Sequence, residues 1–194
     1  MKPKNPLWWN SLLPWRTLKP CLPLATVSGT RVDGLVVHRQ GQYGENQGNW
    51  VDGDPTGYAD HFGLDIIGWL ANPGPHVHIL DKQIVCISPL DGVIAWTGAD
   101  EHGYPSINML HSSRTAKRRR FSFFGDLEEV YVRAGQRVIA GTPLGRPCVF
   151  KRTCRFFHFG MGYEIRRNGK WYDVFIDPSS ALKARIVVRP NLPW

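Results

Sequence analysis

The chain has 194 residues, enough for one well-packed domain with an appended arm. Its 42% hydrophobic content is that of a globular protein, and no apolar run approaches the length needed to cross a bilayer. The net charge of +8 points to anionic surroundings (nucleic acid, acidic lipid or an anionic cell wall), set against the plainer reading of a surplus spread over many surface positions.

Residues 1–24 are rich in Pro and Trp and read as an N-terminal arm lying on the domain. The arm begins with positive charge, but prolines interrupt the Trp8 to Trp15 stretch, so no signal-peptide core is recognisable. Its tryptophans either cap an exposed edge of the core or sit at a membrane interface. Ala25 to Val37 alternates apolar and polar residues around Gly29 and Gly34 and predicts strands joined by a turn. His38 to Tyr58 is rich in Gly, Asn, Gln and Asp and reads as one long loop, of the kind that is functional or mobile in compact domains.

Phe62, Leu64, Ile66 and Ile67 predict a strand. A Pro-Gly loop then carries His76-Val77-His78, whose alternation points both imidazoles to one face. With no third ligand evident nearby, a polar loop face accounts for this pair better than a metal site. Ile84 to Gly98 predicts two strands hinged at Pro89-Leu90-Asp91-Gly92, and Ser106 to His111 a further strand. Arg114 to Arg120 is a basic excursion ahead of the aromatic strand residues Phe121, Phe123 and Phe124.

Val130 to Gly145 holds two more strands with Gly at the turns, and Phe156 to Phe159 another. Tyr163 to Arg166 and Trp171 to Val174 flank Asn168-Gly169, a strong hairpin signal. Asp177 to Leu182 predicts one short helix. With no long amphipathic helix in the pattern, the fold class is mainly β, with an antiparallel core, long loops and little helix. The domain spans 25–182, and 183–194 is left as a C-terminal tail.

Of the four cysteines, Cys21, Cys86, Cys148 and Cys154, none forms a C-x-x-C pair, which argues against a zinc knuckle. Cys148 and Cys154 flank a short basic turn, so a bridge between them is open in an oxidising compartment.

The chemistry centres on His61-Phe62-Gly63-Leu64-Asp65, an imidazole and a carboxylate four residues apart. Neutral imidazole and ionised carboxylate are ordinary zinc ligands. Two local ligands and a distant third, assigned to His158, leave a fourth position for water, as in a catalytic zinc site.

The order of motifs resembles the lysostaphin/LytM-type zinc metallopeptidases (the β-lytic or glycyl-glycine endopeptidases), over roughly residues 25–182. His61-x-Gly63-x-Asp65 resembles the family's H-x-G-x-D. Ser88-Pro-Leu-Asp-Gly-Val-Ile-Ala95 resembles its aP-x-dG-x-V strand pair, and Val132 to Gly145 its V-x-x-G-q-x-V-x-x-G-q-x-i-G. Phe156-Phe157-His158-Phe159 corresponds to H-x-H-F, and Asp177-Pro178 to the terminal D-P. The resemblance implies a duplicated-hybrid-motif-like β fold, a Zn2+ cofactor and the ligands His61, Asp65 and His158. It also implies peptidoglycan cross-link peptides as substrate, anionic cell-envelope polymers as further partners, and a cell-envelope or secreted location.

The departures fall on the proton-transfer groups. Phe156 stands where the family has its general-base histidine. Asp126, in Phe124-Gly125-Asp126-Leu127, stands where the family's Y-x-H-L segment has a second one. Losing a general base costs a factor of about a hundred to ten thousand. Asp126 and His111 are candidate substitutes, with His76, His78 and His102 behind them.

Two functions follow: a zinc endopeptidase-type domain of reduced or lost activity, or an inactive zinc-bearing domain that binds cell-wall peptide or a protein partner. A nucleic-acid reading of Lys117 to Arg120 with the nearby phenylalanines needs a basic face with exposed aromatics, and is the weakest.

Overall fold

The computed structural model describes residues 20–38, 46–50, 58–60, 62–71, 77–100, 103–112, 118–150, 154–167, 169–182 and 185–189. The tryptophans of the arm, His61, His76, His102 and Lys117 lie outside the described residues. Sixteen strands are described: β1 Leu24–Thr26, β2 Val32–His38, β3 Asn46–Trp50, β4 Tyr58–Asp60, β5 Leu64–Ala71, β6 Val77–Ile79, β7 Ile84–Ile87, β8 Gly92–Ala99, β9 Pro105–Leu110, β10 Arg118–Gly125, β11 Leu127–Val130, β12 Arg137–Val138, β13 Pro143–Phe150, β14 Cys154–Arg167, β15 Lys170–Ile176 and β16 Arg185–Arg189. The one described helix, α1, is Pro178–Leu182. The mainly β, antiparallel expectation holds. No described helix is long and apolar enough to cross a membrane.

β14 is the hub of the sheet. Its start pairs with β13, Phe157–Phe159 pairs with β5, one flank runs along β10 from His158 to Ile165, and its second half pairs with β15. β5 in turn pairs with β2, and β10 with β9. The β14–β15 turn is the predicted hairpin, with Gly169 at φ 80°, a conformation glycine adopts without a Cβ clash.

Alternation along the central strands sorts residues to two faces. Leu35, Val37, Leu64, Ile66, Phe124, Phe157, Phe159 and Met161 belong to the main core. Val36, Ile67 and Leu70 form a second cluster on the other face, joined by Val77, Phe156 and Val187. Cys21 and Cys86 are free thiols, and Cys148 is the register partner of Phe156 rather than of Cys154.

The structure differs from the sequence reading in four places. The stretch from His38 to Tyr58 is not one loop: His38 ends β2, and Asn46–Trp50 pairs with Tyr58–Asp60 in a separate two-stranded sheet. Tyr131 to Arg133, expected in a strand, lies between β11 and β12. In the stretch assigned to a C-terminal tail, β16 pairs parallel with β2, where Ile186 packs against the core.

Finally, Arg118, Arg119 and Arg120 are strand residues of β10, not an excursion. Strand geometry suits them because their guanidinium groups have aromatic faces to lie on. Arg118 sits 3.4 Å from the Tyr163 ring centroid and Arg119 3.7 Å from that of Trp171. Arg119 also pairs with Glu164 at 2.5 Å. Phe121 and Phe124 are 1% and 0% exposed, so neither can stack on a base.

Candidate metal centre

Asp65 of β5 and His158 of β14 are register partners. Their chain neighbours Leu64, Ile66, Phe157 and Phe159 all face the main core, so alternation turns Asp65 and His158 together to the other face. His158 Nδ1 lies 3.2 Å from Asp65 Oδ1, with the side chains 17% and 19% exposed. With its proton on Nδ1, the ring donates to the carboxylate. The spacing is also close to the roughly 3.3 Å that separates two donors sitting about 2.0–2.2 Å from one tetrahedral zinc. An imidazole nitrogen and a carboxylate oxygen converging at that distance fit zinc. His61 lies outside the described residues, and among the described residues no three His, Cys, Asp or Glu side chains converge as a metal-holding group.

Gly63 accounts for the glycine between the two proposed local ligands. A Cβ built on it would run into His158 Nε2, and would lie 2.6 Å from the Phe159 carbonyl oxygen and 2.7 Å from His158 Cε1. Any side chain here would push the imidazole away from Asp65 or the backbone away from β14.

The surroundings are aromatic. Phe123 presents its ring edgewise to His158, with centroids 5.9 Å apart, and the exposed Phe62 stacks on Phe175 at 5.2 Å. Phe156 lies two residues from His158 on the same face, packed into the apolar second cluster. Asp126 follows Gly125, the register partner of His158 on β10, and is held at φ 57° with its carbonyl accepting the Cys148 N–H at 2.9 Å. The chain therefore delivers Asp126 to the edge of the Asp65–His158 row.

His111 is not brought there. Its N–H bonds the carbonyl of Arg120, which is the register partner of Tyr163; the His158 row lies five residues further along β10, roughly 16 Å at strand rise. The ring is fully buried. Nδ1 donates to the Asp91 carbonyl at 3.1 Å, and Nε2 accepts from the Ser122 hydroxyl at 2.7 Å. Burial pushes its pKa down to about 4; the Asp91 hydrogen bond opposes that shift and the Arg120 charge adds to it. This is a packed structural histidine. His78 is also accounted for locally, stacked on Trp69 at 4.3 Å.

One residue of this face escaped the sequence reading. His38 ends β2, one residue past Val37, which pairs with Ile66, so it comes to lie beside Asp65. Its face is that of Val36, the face carrying Asp65 and His158. Burial lowers the His38 pKa, and the Asp65 charge acts in the opposite direction. The only sequence signal was the strand expected over Ala25 to Val37, which runs one residue further, through His38.

Compared with known proteins, the chain matches no family model and no curated protein. Among solved structures it is similar to the catalytic domain of the antimicrobial peptidase lysostaphin from Staphylococcus simulans, at 20% identity over 74% of this chain and 90% of that one, with a TM-score of 0.42. LytU is similar at 16% identity over 75% and 81%, with a TM-score of 0.41. A zinc-containing peptidase from Vibrio cholerae is similar at 19% identity over 81% of this chain and 41% of that one, with a TM-score of 0.38. Likenesses at this level assign neither a ligand nor a reaction to this chain.

Proposed function

We propose that the chain carries a zinc metalloendopeptidase-type domain directed at peptidoglycan cross-link peptides, with His61, Asp65 and His158 as the metal ligands and with weakened proton transfer. The observation that carries this reading is the convergence of His158 Nδ1 and Asp65 Oδ1 at 3.2 Å, with Gly63 leaving room for the imidazole. The motif order supports it. When bound, zinc would supply Lewis acidity toward a peptide carbonyl and a hydrolytic water at neutral pH.

The chain's own groups then set the limits. Phe156 cannot exchange a proton and is committed to the apolar cluster with Val36, Ile67 and Leu70. Asp126 can accept a proton, but as a carboxylate it stabilises a developing oxyanion poorly. The alternative, an inactive zinc-bearing domain that binds wall peptide or a protein partner, is favoured by Phe156 and leaves the ligands with the same task.

The expected result is about one zinc per purified chain, lost in His61→Ala and in His158→Ala as measured by metal analysis. Native protein without zinc affinity would sink both readings. On peptidoglycan and glycine-rich peptides, wall binding without cleavage selects the inactive reading. If cleavage is seen, Asp126→Asn is expected to lower kcat by about a hundredfold or more with KM little changed, whereas His111→Gln leaves both within a fewfold.

A further inference from the structure

We infer that His38 is a positioning residue for Asp65: its imidazole lies against the carboxylate from the β2 side and holds it turned toward His158. The inference rests on the zinc reading above, and its basis is a row across three strands. Val37 pairs with Ile66, so His38 flanks Asp65, and Asp65 pairs directly with His158. Neighbouring strands are about 4.8 Å apart, which puts the His38 backbone one strand from Asp65 and two from His158. Alternation places all three on the face opposite the main core.

The row also decides which role His38 plays. His38, Asp65 and His158 are all described, yet they do not converge as three ligands of one ion would. His38 therefore serves the carboxylate from outside the ligand set, where a ring N–H supports an anionic oxygen. Carboxylates that hold metals commonly depend on such partners, and losing one costs about 10–100-fold in metal affinity.

The full-length chain is to be titrated with Zn2+ in competition with a chelator, for wild type, His38→Ala and His38→Gln, with the thermal midpoint of each metal-free protein recorded in parallel. The expected result is a 10–100-fold weaker zinc affinity for His38→Ala, restored within a fewfold in His38→Gln, whose amide can donate to the carboxylate, at unchanged metal-free midpoints. Wild-type affinity in His38→Ala would overturn the role of His38 and leave the zinc reading standing. Loss in both variants, with or without lowered metal-free midpoints, would overturn positioning by hydrogen bonding. Wild-type protein that binds no zinc would overturn the zinc reading and this inference with it.

Discussion

Gly63→Ala is expected to abolish zinc binding and to destabilise the domain by about 1–3 kcal/mol, the usual cost of forcing extra volume into a packed site. The added methyl has no soft neighbour to displace. On one side stands the Phe159 carbonyl, 2.6 Å from the built Cβ and fixed by the pairing of β14 with β5; on the other stands the His158 ring, with Cε1 at 2.7 Å. Relief requires either rotating His158 off Asp65 or separating two central strands, and both undo the Asp65–His158 pairing. Metal analysis and chemical denaturation check the two halves of this expectation together. Gly63→Ala protein with wild-type zinc content would show that the imidazole is not held where the structure places it.

Acid is expected to weaken the fold through His111. Its pKa lies near 6.5 in an unfolded chain and falls to about 4 when buried. Above pH 6.5 both states are neutral, and the group adds no pH dependence. Between pH 6.5 and about 4 the unfolded chain takes up a proton that the folded protein refuses, so stability falls as pH falls, and below about 4 the loss is complete. At about 1.4 kcal/mol per pH unit the loss is on the order of 3 kcal/mol.

Glu164 and Asp173 act with the opposite sign, because burial raises their pKa values and their protonation favours the folded state. Comparison with His111→Gln removes their contribution. Denaturation from pH 7 to 4 should show a steeper loss in wild type than in the variant. Equal slopes would mean that His111 is not held neutral in the interior.

Much of this protein was legible in its residues. Alternation around Gly29 and Gly34 marked Ala25 to Val37 as strands, and runs of apolar residues marked Phe62 to Ile67 and Phe156 to Phe159 as two more. Asn168-Gly169 marked its hairpin because only certain residues accept the required backbone. His61-x-Gly63-x-Asp65 offered a candidate ligand pair, of which His61 lies outside the described residues, and only the family resemblance made Phe156 the place of an absent proton acceptor.

Other features were decided only by tertiary packing. Arg118 to Arg120 read as solvated loop until Tyr163 and Trp171 supplied faces for them across the sheet. His111, a candidate base by residue type, became a buried structural group because its strand runs away from the His158 row. His38 lay in what read as a loop, nearly thirty residues before its partner, and a one-strand register fixes its neighbour. Local sequence sets a strand's period and a residue's chemistry. Which residue stands across from which is set by strand register, a property of distant chain segments that no local pattern encodes.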